Sequence, residues 1–170
     1  QRYYYEYARS ASHKVDHHTG LMHLRTRARK AKNVLDLGCG EGTRLNILLS
    51  SWKKGTGIDI NSYAIKQAKK QYPRHNFFQY DGNTLPFKDS SFDLVYTAFV
   101  LEHVTNQELF LKEAIRILEK KGNLVILCPN FGSPNRHSPC SIENPITKLL
   151  KGLLNDLLVH KLSIRSWTKV

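Results

Sequence analysis

The densest chemistry in the chain lies in VLDLGCGEGT, residues 34–43, where an apolar run carrying Asp36 leads directly into Gly38, Gly40 and Gly42. Glycine has no Cβ, so a backbone of this kind can approach a ligand closely and adopt positive φ where needed. If a helix starts after the glycines, its unpaired N–H groups favour a negative group. Those features suit a dinucleotide or another adenosine compound, and spacing separates the two. A dinucleotide fingerprint, G-x-G-x-x-G/A, requires Gly or Ala at position 43. That residue is Thr43, and the third glycine is already in place at Gly42. Asp36 would also repel a pyrophosphate. Its charge fits a ligand that carries a cation there, and an amino acid moiety offers both an ammonium for the acid and a carboxylate for the N–H groups.

Two further carboxylates fall where strands end. Asp59 follows Gly40 by 19 residues and closes the segment GTGID; a carboxylate there can bind both hydroxyls of a ribose, which excludes a 2′-phosphate. Asp81, followed by Gly82, closes a third apolar segment and can accept from an adenine amino group. Simpler readings stay open: the glycines as a tight strand–helix turn, Asp59 as a helix cap before Asn61, Asp81 as a turn residue. Taken together, the three positions offer a methionine site, a ribose site and an adenine site, the parts of S-adenosylmethionine.

These residues need a scaffold that presents strand ends to one side. Residues 33–37, 55–60, 76–80, 92–97 and 124–127 read as strands. Thr43–Trp52 has helical spacing, Asn61 is placed to cap a helix through Tyr72 with Pro73 just beyond, and 106–121 repeats apolar residues up to Gly122. Strands alternating with helices predict βαβ units. The expected fold class is therefore α/β: a Rossmann-like, doubly wound, mostly parallel sheet with helices on both faces. Residues 1–32 read as an N-terminal helical lid segment, 33–130 as the binding core, and 131–170 as a Pro/Ser-rich loop plus a helix over 146–160.

The chain has 170 residues, enough for one domain with a core, and 41% of them are hydrophobic. No apolar run reaches the roughly 18–20 residues of a membrane span, and no signal peptide opens the sequence. The chain begins at Gln1 and its sole methionine is Met22, so the natural start is expected to lie upstream. Cys39, Cys128 and Cys140 lack metal-type spacing and suggest free thiols in a cytoplasmic protein. The net charge of +12 is concentrated in residues 1–32 and 145–170, leaving the centre almost neutral. Basic flanks attract anionic partners or simply keep a protein soluble.

The set VLDLGCGEGT, GIDI, QYDGNTLPF, SFDLVYTAFVLEHV and GNLVILCPN resembles the class I S-adenosylmethionine-dependent methyltransferases, above all the group with quinone-biosynthesis and small-molecule enzymes. The resemblance spans about residues 33–130. It implies that Asp36, Gly38, Cys39, Gly40 and Gly42 line the methionine part, Asp59 the ribose, and Asp81 with Gly82 the adenine. It further implies that Ile60 and Leu85 sandwich the ring and that Thr97, Ala98 and Phe99 close the pocket near the sulfonium. The family's sheet ends in an antiparallel pair after the fifth strand. Here only 162–167 could supply a sixth strand, so the C-terminal strands are expected to be missing from a fragment.

Methyl transfer needs a general base only when the acceptor must lose a proton early. Glu102 and His103 are the candidates, with a helix start as the plain alternative. Tyr3, Tyr4, Tyr5 and Tyr7 are candidate lid residues, and Arg136 and His137 candidate acceptor contacts. His13, His17, His18 and His23 form a loose set with no spacing that fixes a metal geometry, and no metal is expected. The function expected is transfer of a methyl group to a small-molecule acceptor. An RNA or protein methyltransferase using the basic flanks, with nucleic acid as partner, and a non-catalytic S-adenosylmethionine-binding module are the alternatives.

Overall fold

The computed structural model describes residues 18–129 and the backbone of 167–168. Its elements are α1 (Thr19–Lys30), β1 (Val34–Leu37), α2 (Thr43–Leu48), β2 (Thr56–Asp59), α3 (Ser62–Gln71), β3 (Asn76–Gln79), β4 (Phe92–Ala98), α4 (Gln107–Arg116), β5 (Leu118–Leu127) and β6 (Trp167–Thr168). A single 3₁₀ turn, Leu101–His103, precedes α4. The chain divides into one compact unit of residues 1–127 with 167–170 and a second of 128–166. Tyr3, Tyr4, Tyr5, Tyr7, His13, His17, Arg136, His137, Cys140 and the expected helix over 146–160 lie outside the described residues.

The strands form one sheet in the order β3-β2-β1-β4-β5-β6. The first four pairings are parallel, with Leu37 opposite Ile58 and Asp36 opposite Tyr96, and β6 pairs antiparallel with β5. The chain order reverses between β1 and β4, which is where open sheets of this kind bind ligands, beyond the strands' carboxyl ends.

Strand alternation sorts the core into two layers. Val34, Leu94, Tyr96 and Ala98 face Leu21, Leu24 and Ala28 of α1, Leu45 and Leu48 of α2, and Ile65 and Ala68 of α3. Leu35, Leu37, Ile58 and Val95 face Phe110 and Ala114 of α4. Asp36 occupies a position in the first layer that its neighbours fill with apolar side chains. Asn61 caps α3 as expected, its Oδ1 accepting from the Ala64 N–H at 3.0 Å.

Two helices are shorter than their periodicity predicts. α2 stops at Leu48, not Trp52: Arg74 occupies the Asn46 carbonyl, which a further turn would need for the Ser50 N–H, and also reaches the carbonyls of Ser50 and Ser51. Lys53 then reaches the carbonyls of Ala28, Arg29 and Ala31 at the end of α1, and Trp52 is left 86% exposed. α4 stops at Arg116, five residues early, and β5 begins at Leu118. Phe92 pairs with Leu118 but Leu94 with Asn123, so residues 119–122 loop out of the ladder, with Lys121 at φ 68°. Arg116 is diverted to the 85–89 loop, donating to the carbonyls of Leu85 and Phe87 and to Asp89.

Candidate functional site

The glycine bend is fixed from below by the sheet. Gly38 and Cys39 both donate their N–H to the carbonyl of Ile58, at 2.8 and 3.0 Å. Gly38, Gly40 and Gly42 all have positive φ, at 87°, 53° and 82°. At Gly42 a Cβ would lie 2.6 Å from the ring of Phe77, so α2 must begin beside a bare backbone. The Cys39 side chain turns into the core against Gly57. Burial, and then the charges of Asp36 and Asp59, push its thiol well above the usual range, so only its backbone belongs to the bend.

Thr43, where a dinucleotide fold needs Gly or Ala, is buried and engaged. Its hydroxyl donates to Glu41 at 2.5 Å. Its remaining partner at 2.9 Å, the Tyr72 hydroxyl, is therefore the donor in that pair.

Asp59 and the bend are joined directly. The Gly40 N–H donates to Asp59 Oδ2 at 2.8 Å and the Asn61 N–H to Oδ1 at 2.9 Å. A carboxylate has about four acceptor sites, so two backbone bonds aim the group and leave capacity for two hydroxyls.

Asp36 is fully buried, and neither carboxylate oxygen has a partner in hydrogen-bond geometry. The Tyr96 hydroxyl interacts with it but is likewise without a well-formed bond. Burial raises the Asp36 pKa to about 7, against the opposing pull of Arg44 and Tyr96 and with help from Asp59 and Glu41. Buried polar atoms without partners are few in folded proteins. Here they gather at one end of the sheet: Asp36, Tyr96, Arg44 Nε, Thr97 Oγ1 and Glu102 Oε2.

The far wall comes from the end of β4. Thr97 and Ala98 are buried. Phe99 is held at φ 61°, unusual for a bulky residue. Its ring lies 5.5 Å from the Arg44 guanidinium and edge-on to His18 at 5.7 Å, while Arg44 donates to the Ala98 carbonyl at 2.9 Å. Val100 then covers Gly38. His103 is exposed on the 3₁₀ turn and Glu102 is half-buried. His18 caps α1 through Nδ1, which accepts from the Leu21 N–H, and His23 is exposed.

Asp81 stands apart. It is exposed, and its Oδ1 accepts from the N–H groups of Asn83 and Thr84 at 2.9 and 3.3 Å. Bonds from Asn83 hold its pKa below the usual carboxylate value. Beside it is a notch lined by Leu37, Tyr80, Gly82, Asn83, Leu85, Phe110 and Glu113. Ile60 is 62% exposed near Gly82, whereas Leu85 is buried. The sequence reading missed Arg44, Tyr96 and Val100. A cation two residues past the last glycine and a phenol two residues before Ala98 were the available signals.

The sequence pattern of the family described as "Methyltransferase domain" matches residues 35–126, which run from the middle of β1 almost to the end of β5. The chain belongs to the methyltransferase domain family. Similar proteins include a norajmaline N-methyltransferase of Rauvolfia serpentina, 34% identical over 76% of this chain and 47% of its own length. A demethylmenaquinone methyltransferase of Streptomyces griseus is 33% identical over 63% of this chain and 46% of its own. Among solved structures, a S-adenosylmethionine-dependent methyltransferase of Thermotoga maritima is similar with TM-score 0.59 and 27% identity, over 74% of this chain and 57% of that one. The chain spans less than half the length of the curated relatives it matches, 40% in the case of a Mycobacterium tuberculosis protein. The parallel sheet and its helices on both faces are those of this methyltransferase domain.

Proposed function

We propose that the chain is the cofactor-binding part of an S-adenosylmethionine-dependent methyltransferase acting on a small molecule. The observation that carries this is the union of a Cβ-free bend with Asp59, across 19 residues of sequence, through the Gly40 N–H to Asp59 Oδ2 bond. The residues present fit the cofactor. Gly38, Gly40 and Gly42 present bare backbone at positive φ, and Asp36 and Thr97 hold buried polar atoms that lack partners. In this reading Asp36, Gly38, Cys39, Gly40 and Gly42 hold the methionine part, with Cys39 acting through its backbone. Asp59 holds the ribose. Gly82 and Ile60 border the adenine, and Asp81 shapes that loop. Thr97, Ala98 and Phe99 form the wall at the reacting end.

S-adenosylmethionine supplies a methyl group already activated on a sulfonium. The protein's share of the work is then to orient and to exclude water. Asp59 is pre-aimed by two N–H groups. Phe99, held by Arg44 and by its own N–H to the Leu127 carbonyl at 2.7 Å, is a fixed apolar face at the end of β4. Glu102 is the better-placed proton acceptor of the two candidates, because its Oε2 is buried while His103 is exposed. Two of the similar proteins are named for norajmaline and for demethylmenaquinone, which supports a small-molecule acceptor. A cytoplasmic location is part of the same proposal; among the described residues no helix is long and apolar enough to cross a membrane.

Calorimetry tests the reading. S-adenosylmethionine and S-adenosylhomocysteine should bind and NAD should not. Asp59→Ala should weaken binding about 10- to 150-fold, the value of a charged hydrogen bond of about 1.5–3 kcal/mol. Equal binding of NAD, or unchanged affinity in Asp59→Ala, would defeat it.

A further inference from the structure

The two ends of the sheet carry opposite charge. Glu41, Asp59, Asp81 and Glu102 all lie at or beyond the carboxyl ends of the strands, with the glycine bend. The helix-to-strand turns emerge at the other edge, and each carries exposed lysines. Lys30 and Lys32 flank the turn into β1, Lys54 precedes β2, Lys69 and Lys70 close α3 before β3, and Lys120 and Lys121 sit in the loop of β5. Sheet order places these turns side by side, over about 19 Å at roughly 4.8 Å per strand.

The edge is built as one surface. Lys53 pins the turn before β2 to the end of α1, and Arg74 pins it to the turn before β3. Between these two clamps stands Trp52, 86% exposed. The carboxylates here are few and occupied or recessed. Asp93 accepts from the N–H groups of Lys32 and Asn33 at 2.6 and 2.8 Å, Asp89 pairs with Arg116, and Glu119 is half-buried. Among the described residues the ion pairs are Lys112 with Glu108 and Arg116 with Asp89 and Glu113, none involving these lysines.

We propose that this amino-terminal edge of the sheet docks the protein on an anionic lipid surface, with Trp52 entering the headgroup layer and the lysines against acidic headgroups. Stable peripheral attachment takes two signals, an apolar insertion and a basic patch, and the edge presents both. Tryptophan is suited to such a boundary. A nucleic acid strand fits less well. Strand-binding surfaces stack successive bases on several aromatics, whereas Trp52 is the sole large aromatic exposed on this edge among the described residues. The acidic, glycine-bend end then faces away from the membrane.

Full-chain protein should co-sediment with phosphatidylcholine vesicles containing 30% phosphatidylserine and not with phosphatidylcholine alone. A Lys30→Gln, Lys32→Gln, Lys54→Gln triple variant should bind about 100-fold more weakly, and Trp52→Ala about tenfold. Melting temperatures should be unchanged, since all four side chains are exposed; if Trp52→Ala fails to fold, the triple variant decides. Three results would each overturn the proposal: no binding to the acidic vesicles, binding that survives in the triple variant, or loss in that variant of affinity for a 20-nucleotide RNA while vesicles never bind.

Discussion

Gly38→Ala should destabilise the protein by about 2–5 kcal/mol and remove measurable affinity for S-adenosylmethionine. Two separate effects add. At φ 87° the backbone is in the left-handed region, which costs a residue with a Cβ about 1–2 kcal/mol. A Cβ would also lie 2.5 Å from Val100 Cγ2 and 2.7 Å from Cγ1, and overpacking of this kind costs about 1–3 kcal/mol. Val100 cannot simply retreat, because the next residues enter the 3₁₀ turn, where the His103 N–H donates to the Val100 carbonyl at 2.8 Å. A double-mutant cycle separates the terms. Adding Val100→Ala to Gly38→Ala should recover the packing part, a coupling of about 1–3 kcal/mol, and leave the backbone part. Urea unfolding of the four proteins reads the cycle. A Gly38→Ala protein within about 0.5 kcal/mol of the parent would show that the bend relaxes at no cost, and the close fit of Val100 over the glycine would then have no consequence for binding.

The bend was visible in the sequence because positive φ and close approach both select glycine, and the strand ends were visible because apolar runs stop there. Asn61 as a cap was visible for the same local reason. Long-range decisions were hidden. Nothing near Trp52 says that Arg74, far along the chain, will take the Asn46 carbonyl that would have continued α2. Nothing near Arg116 says that its side chain will hold the 85–89 loop. Tyr96 meets Asp36 only because β4 lies beside β1 in parallel, a pairing across some sixty residues. The partner of a lone acid on an otherwise apolar strand cannot be read locally. Asp81 shows the converse: its position was legible, and so was its Asx turn with Asn83 and Thr84, because that turn depends only on the residues beside it. The lysine edge escaped notice because it is dispersed over four turns that only the sheet brings together.

Asp36→Asn should make stability rise with pH between about 4 and 6.5, where the parent is nearly level, and raise stability near neutrality while harming cofactor affinity. Burial lifts Asp36 from 3.8 to about 7. Below the unfolded value both states hold the proton. As pH rises from about 4 to about 7 the unfolded chain releases it and the folded chain does not, so stability falls by about 4 kcal/mol across that window. His75 acts in the opposite direction. It is buried, and its Nδ1 accepts from the Gly55 N–H at 3.1 Å, which leaves Nε2 to carry the proton of the neutral ring. Burial, with the nearby charges of Arg74 and Lys54, lowers its pKa to about 4. As pH falls from about 6.5 to 4 the unfolded chain gains a proton there and the folded chain resists it, so His75 costs about 3 kcal/mol at the acid end. The two slopes oppose each other, and the parent should be nearly level between pH 4 and 6.5. Removing the carboxylate leaves the histidine alone: Asp36→Asn should gain about 3 kcal/mol from pH 4 to 6.5, and Asp36→Asn with His75→Gln should be level again. Urea midpoints at five pH values read this directly, and parallel profiles for the parent and Asp36→Asn would mean that the buried carboxylate is not held neutral. The expected loss of affinity in the more stable variant explains why an isolated acid is kept in an apolar layer. A carboxylate without a partner in the free protein is costly to fold around, and it becomes useful when a cationic ligand group arrives to meet it.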